Sequence, residues 1–266
     1  MFKTVLTYVG GSADSAGPLQ VAAEFATAQG ADLIGLAGRE PFVPTSDYIT
    51  AEAMQMIADQ EEEDLLLART LFDEATIDLG KRAHWKVARE RPNLSLARYA
   101  AGADLIVTGV SRKGHPCSVD CSSLVMEAGL PLLVAPPGVS KVAVGNILLA
   151  WRNTAEARRA ITVSLPLLKQ AETVTLVEIA ARDDVDFARE AVHAALHRLE
   201  AHGVHAQADV DVGHDAAGML MDKARHLGAG LIVSGAYGHS RMREWVLGGV
   251  TADLMAYSTL PLLFVH

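Results

Sequence analysis

Three glycines near the C-terminus have the spacing of a phosphate-binding loop. Gly235, Gly238 and Gly248 form the pattern G-x2-G-x9-G, and Gly249 follows directly. Because glycine has no side chain, its backbone can approach a ligand closely. An apolar run from Val250 predicts a helix whose first N–H groups favour an anion. The segment therefore predicts a phosphate site, and a tight strand-to-helix loop without a ligand is the alternative.

Two groups of potential metal ligands have less specific spacing. His115, Cys117 and Cys121 form an H-x-C-x3-C pattern, which lacks a fourth ligand and is not a specific zinc spacing. His193 and His197 are four residues apart on a predicted helix, without the glutamate of the H-E-x-x-H motif. Neither group supports the prediction of a metal site.

The chain contains a long internal repeat that defines its domains. GADLIVTGVS at 102–111 matches GAGLIVSGAY at 228–237. A repeat of about 130 residues is the size of a domain and exceeds the roughly 20 to 50 residues of a solenoid repeat. Pro-Pro-Gly at 136–138 interrupts the apolar runs between the two halves. We therefore expect two domains, residues 1–140 (copy one) and 141–266 (copy two).

Copy two alternates between strand and helix patterns. Strands are predicted over 146–151, 173–179, 204–211, 230–235 and 261–265, and helices over 155–170, 184–202, 215–227 and 250–257. The strands are continuous Val, Ile and Leu runs, as in parallel sheets covered by helices on both faces. This pattern predicts an α/β fold with a doubly wound parallel sheet in each copy. Such sheets bind ligands at the carboxyl ends of strands, where the glycine segment begins.

Copy one carries about sixteen additional residues between its first and fourth strands. They lie around 41–80 and predict a long helix that Ser46 or Asp47 could cap. The acidic run at 61–64 favours a solvated surface. An arm that packs against the other copy or a partner is the alternative.

Composition excludes several classes of protein. The 266 residues are 50% hydrophobic and carry a formal net charge of -9, which argues against nucleic acid as a partner. The apolar runs have the length of strands, so no membrane association is expected. The N-terminal sequence enters a strand pattern directly, so we expect no secretory leader, and two cysteines suit a reducing compartment. We expect a cytoplasmic protein.

Over nearly its whole length the chain resembles a tandem universal stress protein. The nucleotide motif of that family is G-x2-G-x9-G-(S/T), and Gly235, Gly238 and Gly248 occupy its three glycine positions. The resemblance implies two adenine-nucleotide alpha hydrolase-like domains packed as a pseudo-dimer. It also implies a stress-response regulator that binds ATP or a related adenine nucleotide in copy two, with Mg²⁺ as a candidate accompanying cation.

The resemblance also assigns positions to the nucleotide site. They are Ala150, Trp151, Arg152, Ile179, Ser234, Gly235, Gly238, Gly248, Gly249, Val250 and Thr251. Gly249 stands where the family has Ser or Thr, and Thr251 is a candidate for the missing hydroxyl. Arg152 stands where ATP-binding members usually have Asp, so the affinity and the choice of base stay open.

Copy one departs further from the family motif. Arg112 replaces the second glycine, and the loop is four residues shorter, so we expect no nucleotide there. The final strands at 132–134 and 262–264 are expected to pair within the chain as two family subunits would. Association of two whole chains into a homodimer stays open.

Three functions are compatible with the sequence. The first is a nucleotide-sensing stress protein that binds ATP in copy two and hydrolyses it slowly at most. The second is a stress-related interaction protein that has lost nucleotide binding, as Arg152 and Gly249 would allow. The third is a nucleotide-using enzyme, which the sequence favours least because no nucleophile and base are paired as in a nucleophile elbow.

The cluster of Asp209, Asp211, His214 and Asp215 could contact a metal and phosphate, although a solvated loop is the simpler interpretation.

Overall fold

The computed structural model describes residues 2–38, 50–110, 119–238 and 249–266. Strands and helices alternate through both copies. The strands are β1 (Thr4–Tyr8), β2 (Asp32–Gly38), β3 (Ala83–Ala88), β4 (Leu105–Gly109), β5 (Leu132–Ala135), β6 (Asn146–Ala150), β7 (Thr173–Ala180), β8 (Ala206–Val212), β9 (Leu231–Gly235) and β10 (Leu262–Val265). The helices are α1 (Ala16–Gln29), α2 (Ala51–Ala75), α3 (Pro92–Tyr99), α4 (Cys121–Glu127), α5 (Ala155–Leu168), α6 (Val185–Ala201), α7 (Ala216–His226) and α8 (Val250–Tyr257).

The ten strands of the described residues form one sheet in the order β3-β2-β1-β4-β5-β10-β9-β6-β7-β8. Neighbouring strands are parallel within each copy, and only β5 and β10 are antiparallel. Leu133 pairs with Leu263 at the centre of this junction. The doubly wound α/β fold and the pairing of the final strands are therefore confirmed.

The two junction strands also join the apolar cores of the two copies. Side chains along a strand alternate between the faces of a sheet. Leu133 and Leu263 belong to the cluster on one face, and Leu132 and Phe264 belong to the cluster on the other. Each buried Leu or Phe side chain contributes about 1.5–3 kcal/mol to stability. The junction therefore stabilises both copies as one unit.

Helices cover both faces of the sheet. The face that we call the α5 face is covered by α1, α2, α5 and α6, whereas α3, α4, α7 and α8 cover the α8 face. Among the described residues, no helix has both the length and the apolar character needed to cross a membrane.

The long helix of copy one begins later than the sequence predicted. It starts at Ala51, and the Thr50 hydroxyl caps it by accepting a hydrogen bond from the Ala53 N–H at 3.2 Å. Ser46 and Asp47, the predicted caps, lie outside the described residues, and that prediction was wrong. The helix packs on its own copy through the buried Phe72, whose ring centroid lies 5.1 Å from that of Trp85.

Candidate functional site

The carboxyl ends of β6 and β9 form a topological switch point. The two strands are parallel neighbours, and Ala150 pairs with Ser234 near their ends. From there the chain continues into α5 on one face of the sheet and towards α8 on the other. A crevice opens where connections diverge in this way, and ligands of doubly wound sheets bind there. The predicted residues at these strand ends therefore share one edge of the sheet.

The first two motif glycines pack against the start of α5. A Cβ atom on Gly235 would lie 2.6 Å from the Ala157 backbone nitrogen. A Cβ atom on Gly238 would lie 2.5 Å from Glu156 Oε2 and 2.9 Å from Thr154 Oγ1. Thr154 is the N-cap of α5 and accepts a hydrogen bond from the Ala157 N–H. Close packing of the loop on the α5 backbone therefore requires glycine at 235 even before a ligand is considered, whereas Gly238 packs against side chains.

The packing role of Gly235 leads to a stability prediction. We expect Gly235→Ala to lower the free energy of unfolding by about 1–3 kcal/mol, because the new methyl group would overlap the α5 backbone. Urea unfolding of the purified protein measures this change. Gly145→Ala is the control, since a Cβ atom there meets no atom within 4 Å. Equal effects of the two substitutions would contradict the packing role.

The first turn of α8 offers backbone donors to an anion. Gly249 precedes the helix with φ 133° and ψ 176°, a conformation that favours glycine over the Ser or Thr of the family motif. Within the described residues, the N–H groups of Val250 and Thr251 take part in no hydrogen bond. The Thr251 hydroxyl is buried nearby and accepts a hydrogen bond from the Tyr237 N–H at 3.4 Å. Gly248, which was also predicted to lie in the site, is outside the described residues.

In copy one, a carboxylate occupies the corresponding helix start. Asp120 is the N-cap of α4 and accepts hydrogen bonds from the Ser122 and Ser123 N–H groups at 3.0 and 3.4 Å. The Ser123 hydroxyl donates a further hydrogen bond to Asp120 at 2.6 Å. An anion of the protein itself therefore uses the donors that a phosphate would need.

The other end of the copy-one site is filled as well. The Tyr8 side chain leans over the end of β2, so that a Cβ atom on Gly38 would lie 2.9 Å from its hydroxyl oxygen. The register of β1 with β2 in copy one matches that of β6 with β7 in copy two. Tyr8 therefore corresponds to Ala150, and Gly38 corresponds to Ile179. Copy two thus has a small side chain where copy one has an aromatic ring.

The remaining predicted residues surround the strand ends of copy two. Ala150 and Trp151 are buried at the end of β6, and Arg152 is exposed just beyond them. Ile179 is half-buried near the end of β7 and packs on the α8 face. The Ser234 hydroxyl donates a hydrogen bond to the Gly235 carbonyl at 2.9 Å. The structure brings these residues to one edge of the sheet.

Glu178 is a further candidate for the site at these strand ends, and the sequence analysis did not identify it. It is 8% exposed, and one of its carboxyl oxygens has no hydrogen-bond partner among the described residues. Burial raises the pKa of Glu178 to about 7, although the Arg152 guanidinium opposes this rise. Just beyond the end of the adjacent strand β6, the buried Trp151 Nε1 also has no partner in the described part of the chain. The sequence did contain a signal for this residue, because Glu178 is the single glutamate inside the apolar run of β7.

The acidic cluster after β8 has a structural explanation. Lys223 bridges Asp209 and Asp211 at 3.0 and 3.1 Å. Asp215 caps α7 by accepting a hydrogen bond from the Gly218 N–H at 2.9 Å. These three carboxylates already have partners within the fold.

The candidate metal ligands do not converge in the described structure. His193 and His197 are exposed on α6. The Cys121 thiol donates a hydrogen bond to the Gly109 carbonyl at 3.2 Å, whereas His115 and Cys117 lie outside the described residues. Within residues 2–38, 50–110, 119–238 and 249–266, no three His, Cys, Asp or Glu side chains form a group that could hold a metal ion.

Comparison with known proteins identifies the family. The sequence profile of the universal stress protein family matches residues 1–117 and 144–266. Comparison with curated protein sequences gave no match.

Solved structures share the fold over nearly the full length. A universal stress protein from Archaeoglobus fulgidus DSM 4304 is 13% identical with a TM-score of 0.72, over 98% of this chain and 97% of that one. A functionally unknown protein from Pseudomonas aeruginosa PAO1 is 15% identical with a TM-score of 0.61, over 99% and 92% of the two chains. Since the family profile covers both halves, the chain belongs to the universal stress protein family as a tandem, two-domain member.

Proposed function

We propose that this protein is a stress-response regulator that binds ATP, or a related adenine nucleotide, in copy two. The observation that carries the proposal is the contrast between the two copies at the same place in the fold. The N–H groups that begin α8 have no acceptor among the described residues, whereas Asp120 already occupies the start of α4. We further propose that the copies divide near residue 140 and that the protein acts in the cytoplasm.

The residues of copy two fit the parts of such a nucleotide. The phosphates would accept hydrogen bonds from the backbone at the start of α8, where the helix dipole also favours an anion. The base would lie towards Ala150 and Ile179, where copy one has the larger side chain of Tyr8 at the position of Ala150. Mg²⁺ would be held mainly by the phosphates and water, as is common for this cation.

A second function is supported by the packing of the glycines. Gly235 packs against the backbone of α5 and Gly238 against the Thr154 and Glu156 side chains, so their presence alone does not require a ligand. Arg152, which stands where ATP-binding members of the family usually have Asp, also supports a loss of nucleotide binding. The protein would then be a stress-related interaction protein that has lost nucleotide binding.

Calorimetric titration of Mg·ATP into the full chain separates the two functions. We expect saturable binding with one site per chain, because the N–H groups that begin α8 are unpaired among the described residues, whereas Asp120 occupies the start of α4. Two sites per chain would contradict the closure of copy one. No binding at millimolar ATP would overturn the nucleotide proposal and favour the interaction protein. An enzyme would reveal itself by turnover of ATP well above the rate without protein.

A further inference from the structure

Tyr237 has a backbone conformation that is unusual for an aromatic residue. Its φ is 56°, and it is the one non-glycine residue with positive φ among those described. This left-handed conformation is strained for a bulky side chain, whereas glycine adopts it without steric cost. The loop has glycine at 235 and 238 but tyrosine at the strained position between them. Strain of this kind often accompanies a functional side chain.

The Tyr237 side chain contains an unused hydrogen-bond donor. Its ring is half-buried against the apolar cluster of the α8 face. Its hydroxyl oxygen is buried and has no hydrogen-bond partner in the described part of the chain. A buried tyrosine hydroxyl usually finds a partner, because leaving the group unpaired is unfavourable. The free protein therefore leaves this buried hydroxyl unpaired among the described residues.

The location of Tyr237 indicates which part of a ligand it could reach. Its N–H donates to the Thr251 hydroxyl at 3.4 Å, which ties its backbone to the first turn of α8. Its ring packs on the apolar cluster that covers the α8 face, and Ile179 packs on the same cluster. The ring therefore lies on the same face of the sheet as Ile179, one of the residues assigned to the base.

We propose that the Tyr237 hydroxyl donates a hydrogen bond to an acceptor nitrogen of the adenine ring. This inference rests on the proposed nucleotide binding and assigns it a residue that recognises the base. The unprotonated ring nitrogens of adenine are acceptors, so the contact would satisfy the unpaired hydroxyl. Packing on the apolar cluster already orders the ring before binding, which reduces the cost of ordering it.

The test compares Tyr237→Phe with wild type in the full chain, using Mg·ATP, adenosine and inorganic triphosphate as probes. We expect about tenfold weaker binding of ATP and adenosine and unchanged binding of triphosphate. Urea unfolding of the free variant should show equal or higher stability, because the substitution removes an unpaired polar group. Tyr257→Phe is the matched control, since Tyr257 is 71% exposed on α8.

The possible results are distinct. Equal ATP affinity of Tyr237→Phe and wild type would overturn the contact while leaving nucleotide binding established. A parallel loss of triphosphate binding would mean that the substitution acts on the whole loop, and it would also overturn the contact. If wild type binds neither ATP nor adenosine, the proposed function fails and the Tyr237 contact fails with it.

Discussion

Gly249→Asp is expected to weaken ATP binding about 100-fold. The substitution places a carboxylate at the start of α8, as Asp120 does at the start of α4. The carboxylate would accept the N–H hydrogen bonds that the phosphates need, and it would repel them. Hydrogen bonds to charged groups contribute about 1.5–3 kcal/mol each, and about 2.7 kcal/mol corresponds to a factor of 100 in Kd. Calorimetric titration with Mg·ATP measures the effect.

Gly249→Ala is the matched control for this substitution. Both variants impose a side chain on a residue with φ 133°, so both carry the same kind of backbone strain, of about 1–3 kcal/mol. A Cβ atom at this position meets no atom within 4 Å among the described residues, so neither variant creates a clash at Cβ. We expect Gly249→Ala to lose less than about tenfold in affinity. Equal losses in both variants would assign the effect to backbone strain and contradict the role of the carboxylate.

Gly249 is a better position for this test than Gly238. A side chain on Gly238 would overlap Thr154 and Glu156 at the start of α5. A loss of binding in a Gly238 variant would therefore combine damage to the fold with damage to the site.

The second large effect is a dependence of stability on pH that comes from Glu178. Its pKa rises from an ordinary value of 4.5 to about 7 in the folded protein, because burial disfavours the charged carboxylate. Between these values the folded state binds more protons than the unfolded state, so stability falls as pH rises. The contribution of Glu178 is complete below about pH 4.5 and is lost above about pH 7. The difference in pKa corresponds to about 3 kcal/mol.

Urea unfolding of wild type and Glu178→Gln across pH 4.5 to 8 measures this contribution. We expect wild type to lose up to about 3 kcal/mol more than the variant over this range. Other titrating groups are common to both proteins and cancel in the difference. Glu190→Gln, at an exposed position on α6, should keep the wild-type dependence. Parallel curves for wild type and Glu178→Gln would show that Glu178 does not titrate in this range.

The alternation of strands and helices could be predicted from the sequence because it depends on local patterns. The predicted strands and helices of copy two differ from the structure by at most two residues at either end. The pairing of the final strands followed from the internal repeat and the resemblance. The predicted start of α2 was wrong. Several polar residues near an apolar run can cap a helix, and the sequence pattern does not select among them.

The site could be predicted only in part. The glycine spacing identified the loop, but the packing of Gly235 on α5 and the position of Tyr8 over Gly38 depend on tertiary contacts. The cap of α4 by Asp120 is a local contact that the sequence analysis did not use. Glu178 and Tyr237 were missed because they also depend on tertiary contacts. Burial, an unpaired polar atom and a strained φ arise from the arrangement of residues distant in sequence, so the tertiary structure alone decided them. The sequence determined the order of elements because hydrophobic periodicity and chain breakers act over a few residues.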